Sequence, residues 1–428
     1  MTATGAKEKI HFLPLFALAT VPLIMVLGNS MLIPILPQMQ DEIGISKFQA
    51  SLVITLFSVP AGLIIPFAGF LSDHFNRKVV IVPSLLLYGA GGVVAGIAAW
   101  LMSNPYWVIM AGRVLQGIGA AGTAYVAMAL VGDIWSGASR AKALGIIEAA
   151  NGMGKVLSPI LGALIALLFW YAAFFAFPII CIASAALVYF FVKEPKKSGP
   201  PQSAKQYLSS LKKTFKKEWK FLLATYLVGA VALFILFGIL FYISQILEEK
   251  YKVGDIMRGF ILSAPLLAMC TTSLITGAKI KKNLKLMKIC VVVGCSLIAV
   301  PLVINAFLTN PYIELSLVVI SGIGTGLALP CLNTMITSAT QKEERGAVTS
   351  LYGSVRFLGV AAGPPIFGAL MSTPKTMYFT MAGLAALSAV VSFFMINPGT
   401  GKKPGGGGEK YEKLERDRRS LAVKKARA

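Results

Sequence analysis

The sequence predicts an all-α integral membrane protein of twelve transmembrane helices, arranged as two pseudo-symmetric six-helix bundles. Charged residues make up only 14% of the 428 residues, against about 25% in soluble domains. Apolar runs long enough to cross a hydrocarbon core recur from Phe12 to Ile396. The pattern of the first half returns in the second. Lipid offers the backbone no hydrogen-bond partner, so such runs fold as helices. The period-two alternation of a membrane barrel is missing.

The first six spans are placed at 12–38, 48–70, 79–102, 106–134, 141–168 and 171–192. The second six are placed at 220–247, 254–277, 286–307, 311–338, 346–372 and 376–396. This divides the chain into a first bundle (1–192), a linker (193–219), a second bundle (220–396) and a basic tail (397–428). The first apolar run exceeds a signal-peptide core and lacks a small-residue cleavage site, so it reads as a retained helix. The linker is rich in Lys, Ser and Pro and reads as solvated, with an amphipathic helix expected at 206–217. The tail passes through Gly405–Gly408 to Glu/Lys and Glu/Arg pairs four residues apart, the pattern of a solvated or lipid-touching segment.

The net charge of +22 is not a nucleic-acid signature once its distribution is seen. With the N-terminus in the cytoplasm, nearly every Lys and Arg outside the spans falls on the cytoplasmic side. The exceptions are Lys47, Lys250, Lys252 and Lys375, together with Arg258 at the outer end of the eighth span. The positive-inside rule then puts both termini in the cytoplasm, with the basic face against anionic headgroups. The five cysteines lie in apolar runs with no Cys-x-x-Cys, and the histidines are only His11 and His74. No metal site, disulfide framework or cofactor is expected.

The two halves carry matching marks at one constant offset. Gly117-Ile118-Gly119 recurs as Gly322-Ile323-Gly324, Arg140 as Arg345, and Ser158-Pro159 as Gly363-Pro364. Related halves with a site between them are the mark of secondary transporters. Three motifs add to this. The turn after the second span reads Gly69-Phe-Leu-Ser-Asp73-His-Phe-Asn76-Arg77-Lys78. The fourth span contains Arg113-Val-Leu-Gln116-Gly117, and the fifth contains Gly154-Lys-Val-Leu-Ser158-Pro159-Ile-Leu-Gly162. In this order the set resembles the major facilitator superfamily, in particular its twelve-helix drug:proton antiporter branch. Asn76 stands where the first motif has its second Gly, and Lys78 where it has its last Arg. Ser158 and Ala163 replace two glycines of the antiporter motif.

The resemblance implies alternating access, a cytoplasmic gate at Gly69, Asp73, Arg77 and Lys78, and a bending fifth helix built on Gly154, Ser158, Pro159 and Gly162. Asp133, at the cytoplasmic end of the fourth span, is within reach of the gate. Charges inside spans are functional candidates in their own right. Arg113, Lys155 and Arg356 lie at similar mid-membrane depths, and Glu148 precedes Lys155 by two turns on one helix face. Asn29 stands in the first span where an acid is absent, which leaves Glu148 as the expected buried proton carrier. With Arg113, Lys155 and Arg356 set against Glu148, the central cavity is expected to be net positive and to favour an anionic or zwitterionic molecule. Gln116 and Tyr352 complete the expected pathway.

The leading expectation is a proton-coupled exporter of a small organic molecule, acting as a monomer among membrane lipids. The alternative is a proton-independent or uptake carrier of the same fold. An enzyme would need a nucleophile or acid–base constellation at a membrane face, and a sensor a soluble output domain; neither is found. Gly154-Lys155 is not a phosphate loop, because the first Gly and the following Ser or Thr are missing.

Overall fold

The computed structural model describes residues 11–195, 204–280, 283–308, 310–339 and 345–396. Among them the order is α1 (Phe12–Ser30), a 3-10 turn (Ile33–Ile35), α2 (Leu36–Ile43), α3 (Lys47–His74), α4 (Arg77–Leu101), α5 (Tyr106–Ala121), α6 (Ala124–Ile134), α7 (Gly137–Ala166) and α8 (Ala172–Phe191). The second half holds α9 (Ala204–Glu249), α10 (Asp255–Ile280), α11 (Leu284–Asn305), α12 (Pro311–Ala339), α13 (Arg345–Leu370) and α14 (Pro374–Met395). Eleven helical units are long and apolar enough to cross a membrane. The remaining one, α13, is as long but more polar, carrying Thr349, Ser350, Ser354 and Arg356. The spans connect alternately at two ends. The basic face carries the α3–α4, α6–α7, α8–α9, α10–α11 and α12–α13 connections, and the far face carries the α2–α3, α4–α5, α7–α8, α9–α10, α11–α12 and α13–α14 connections.

Three spans differ from the sequence expectation. The first is broken rather than continuous to 38. Its α-helix ends at Ser30, passes through a 3-10 turn containing Pro34, and resumes to Ile43. Pro34 and Pro37 each lack the N–H that would continue the ladder, which frees carbonyls nearby. α2 closes at Gly44, whose φ of +65 is left-handed. The fourth span is interrupted at Gly122–Thr123. The seventh span does not start afresh at 220: the helix expected at 206–217 in the linker is present from Ala204 and runs on into that span with only a kink at Glu218. The tail, from 397 on, lies outside the described residues.

Small residues set the packing, since lipid removes the hydrophobic drive between helices and leaves close fit to hold them. A side chain at Gly117 of α5 would run into the Phe57 carbonyl of α3; one at Gly322 of α12 would meet the Pro265 carbonyl of α10. Gly119 abuts α4 at Tyr88, and Gly324 abuts α11 at Gly294. The repeat seen in sequence is thus a repeat of contacts, each half using the same two-sided glycine wedge.

The halves meet along two seams. On one, Thr55 donates to the Ala361 carbonyl at 2.7 Å and Ser354 to the Gly62 carbonyl at 2.5 Å, joining α3 to α13. On the other, Ser263 donates to the Val156 carbonyl at 2.8 Å and the Cys270 thiol to the Gly152 carbonyl at 3.2 Å, joining α10 to α7.

Candidate functional site

The turn between α3 and α4 gathers the first motif. Arg77 Nη1 lies 3.0 Å from Asp73 Oδ1, and Arg77 Nε donates to Asp133. Arg77 also reaches Ser72 Oγ at 3.1 Å. Glu194, after α8, accepts the backbone N–H groups of Arg77 at 2.7 Å and Lys78 at 3.0 Å. A carboxylate at a helix N-terminus satisfies orphan donors and meets the positive end of the dipole. Lys78 Nζ donates to the Val192 carbonyl at 2.9 Å, tying α4 to the end of α8. Gly69 leaves room for the second half: a Cβ there would stand 2.8 Å from Ser350 Oγ of α13. Asp73 faces Gly346, in the first turn of α13.

Arg113 does not reach a cavity. It is 0% exposed and its guanidinium is used up inside the first half. Nε donates to the Val53 carbonyl at 2.8 Å, Nη1 to Gln116 at 2.6 Å, and Nη2 to the Gly28 carbonyl at 3.0 Å and to Asn29 at 3.3 Å. Asn29 in turn donates to Ser58 at 2.8 Å, and the Phe57 ring lies 4.5 Å from the guanidinium carbon. Arg113, Asn29 and Gln116 therefore bind α1, α3 and α5 together. This corrects the expected cavity charge: Arg113 drops out of the sum.

The fifth-span residues act at close quarters with α1. A Cβ at Gly154 would stand 3.0 Å from the Leu23 carbonyl, and Gly162 lies against the Met31 carbonyl. Ser158 Oγ is 3.5 Å from the Leu27 carbonyl. These residues recur every four positions, so one stripe of α7 lies flush on α1. Pro159, on the other side, faces Gly259 of α10.

The remaining charges converge between the halves. Lys155 of α7 lies within electrostatic range of Arg356 of α13, Glu148 and Cys270. Arg356 is in range of Tyr352, Tyr125 and Glu148. Tyr125 of α6 packs against Gly353, one turn before Arg356, and Tyr352 lies under the Arg356 guanidinium at 5.3 Å. Lys155 and Arg356 are partly accessible although they sit at mid-helix, and they come into range of each other across the two halves. Glu148 is exposed, not buried as expected, because its face of α7 is open at this depth. Among the described residues none of these three forms an ion pair, and Arg356 Nε and the Tyr352 hydroxyl are buried without a partner. The arrangement is two cations from opposite halves, one carboxylate, and open donors.

At the far face sits a network that sequence reading missed. Arg258, counted above among the outer-face cations, is 0% exposed. It donates to the Pro34 carbonyl from Nε at 3.0 Å and from Nη2 at 2.7 Å, and pairs with Glu248 and Asp255. Ser244 donates to the Ile33 carbonyl at 3.0 Å. The carbonyls freed by the broken first span are thus captured by the second half. The 10-residue gap from Glu248 and the i,i+3 step from Asp255 were visible; that Pro34 would supply the acceptor was not.

Two six-helix halves, joined along two seams, with charges concentrated between them, define a membrane carrier rather than an enzyme. The chain belongs to the Major Facilitator Superfamily, whose family profile matches residues 18–364 and 288–426. It is a multi-pass membrane transporter of the exporter kind. It is 44% identical to the bacillibactin exporter of Bacillus subtilis (strain 168) over 89% of this chain and 95% of that one. It is 26% identical to the class C tetracycline resistance protein of Escherichia coli, over 87% of this chain and 92% of that one. The fold matches the human organic anion transporter MFSD10 (TM-score 0.69, 19% identity, 89% of this chain and 99% of that one). It also matches a bacterial homologue of the lysosomal transporter Spinster in an inward-facing, unoccupied conformation (TM-score 0.71, 16% identity, 90% and 96%).

Proposed function

We propose that this transporter exports a small organic molecule bearing negative charge, by alternating access and coupled to protons. The observation that carries the reading is the pair Lys155 and Arg356, contributed by opposite halves and each in electrostatic range of the carboxylate Glu148. Unpaired cations in a low-dielectric site call for a counter-charge, and an anionic ligand supplies it. Binding between halves also suits transport, because a ligand held by both can bias the rocking between them. Open donors on Arg356 and Tyr352 fit oxygen acceptors on such a ligand.

The first cargo to test is bacillibactin, after the Bacillus subtilis relative. The motif resemblance to drug:proton antiporters supports proton exchange as the driving force. Orientation follows from the basic face: both termini are cytoplasmic, in the cell membrane, with anionic lipid against the Lys and Arg of that face. The Asp73–Arg77–Asp133 cluster serves as the cytoplasmic gate, and the Gly154–Gly162 stripe lets α7 shift against α1 during the cycle. The protein works as a monomer, since each chain holds both halves of the site.

The test is purified protein in proteoliposomes under an imposed pH gradient. Bacillibactin flux is measured, and matched carboxylate and ammonium derivatives of one aromatic scaffold compete for binding. Preference for the carboxylate supports the reading. Tight binding of the ammonium compound, with no improvement in Lys155→Met or Arg356→Met, overturns it.

A further inference from the structure

An anion site made of two facing cations raises a problem that the proposed function leaves open. A loaded carrier can enclose the pair, because the ligand neutralises it. A carrier that has released its ligand must still close around the same two cations to return. Enclosing unbalanced like charges in a medium of low dielectric is strongly unfavourable.

Glu148 is placed to answer it. It stands two turns before Lys155 on the same face of α7, with Gly152 between them touching Cys270 of α10. It is the carboxylate in range of both cations. It is exposed, so its side chain is free to swing toward either one. It is not committed elsewhere, since it forms no ion pair among the described residues.

We propose that Glu148 is a built-in counter-anion: it neutralises Lys155 and Arg356 in the empty carrier, and an anionic substrate displaces it. This rests on the anionic-substrate reading above. The titratable groups that face Glu148 are Lys155 on its own helix, Tyr125 on α6, Cys270 on α10 and Arg356 on α13. A proton on Glu148 removes the competitor from both cations. Proton and anion therefore reinforce one another at this site instead of excluding one another. It follows that Glu148 is not the group whose protonation expels the substrate, and the proton of an exchange cycle binds at a different carboxylate.

The experiment separates two fluxes in proteoliposomes loaded with bacillibactin. Net efflux into probe-free medium requires the empty carrier to return. Exchange against external bacillibactin does not. In Glu148→Gln, net efflux falls about tenfold or more while exchange stays within about threefold of wild type, because only the empty carrier has lost its counter-charge. Bacillibactin binds more tightly to this variant, and Glu148→Asp restores net efflux. Equal loss of both fluxes, unchanged net efflux, or failure of Glu148→Asp to restore it overturns the proposal. A wild type that prefers the ammonium competitor removes the anionic-substrate reading and this one with it. A wild type that prefers the carboxylate but shows no split between the fluxes in Glu148→Gln removes this one alone.

Discussion

Arg113 in the first half and Arg356 in the second both stand inside membrane-spanning helices, and they are bonded in opposite ways. Arg113 is fully buried and donates to Val53, Gly28, Asn29 and Gln116, all within its own half. Arg356 stacks on Tyr352, leaves Nε without a partner, and lies in electrostatic range of a second cation, Lys155, from across the seam. The difference teaches how to sort intramembrane charges. A cation whose donors are filled by backbone of its own bundle is part of the frame. One whose donors remain open at the seam between moving bodies is available to a ligand.

That comparison breaks or sharpens under substitution. The largest effect is expected at the seam. Arg356→Met and Lys155→Met should each lower transport of an anionic cargo by about 30-fold or more, since truncating one member of a desolvated charge pair costs about 2–5 kcal/mol. Folded yield should stay at the wild-type level. Anion flux at the wild-type rate in either variant would end the distinction.

Arg113→Met should instead act on folding. It strands the Val53 and Gly28 carbonyls and the Asn29 and Gln116 side chains, at a cost of about 3 kcal/mol or more for breaking a buried charged network. Thermal unfolding in detergent reads this as a large fall in Tm. If the variant folds normally but no longer binds the anion, Arg113 belongs to the site and the comparison collapses.

The far-face arginine, Arg258, is bonded like Arg113 but across the seam, so it should set conformation. Arg258→Gln frees the Pro34 carbonyl and should raise thiol labelling of a Ser244→Cys reporter by about fivefold, a shift of roughly 1 kcal/mol in the balance of states. Unchanged labelling would mean that this network does not hold the far face shut. On the basic face, Arg77→Ala should slow transport about three- to tenfold in protein that still folds, because the gate biases conformations rather than binding cargo. Transport at the wild-type rate would remove the gate role. The smallest effect is expected for Lys47→Met. Its ion pair to Glu249 at 2.7 Å is exposed on both sides, where such pairs contribute under about 1 kcal/mol. A marked transport defect there would show that rim charges matter as much as buried ones.

Much of the frame was legible because lipid imposes strong rules on composition. Span positions came within a few residues, and the glycine repeat foretold the paired wedges at Gly117 and Gly322. The motif marks Asp73 and Arg77, and the end of the fourth span marks Asp133, and the three do meet at the turn. Tyr125 was not legible, since a tyrosine in an apolar helix carries no signal of what it faces. Glu194 was not, because its role as a helix cap depends on α8 ending beside α4. The breaks at Pro34 and Gly122 were smoothed over because hydropathy averages across them.

The sequence by itself determined that the chain crosses the membrane about twelve times, that its two halves are copies, and that a few charges are held in apolar surroundings. These follow from each residue's own interaction with water and lipid. Which groups those charges contact was set by the tertiary structure alone. Arg113 has its donors filled within its own half, Arg356 leaves Nε without a partner, Arg258 bonds to Pro34 across the halves, and Glu148 is exposed. A charge in a membrane is defined by its partners, and here the partners lie on other helices, brought close only when the two bundles pack.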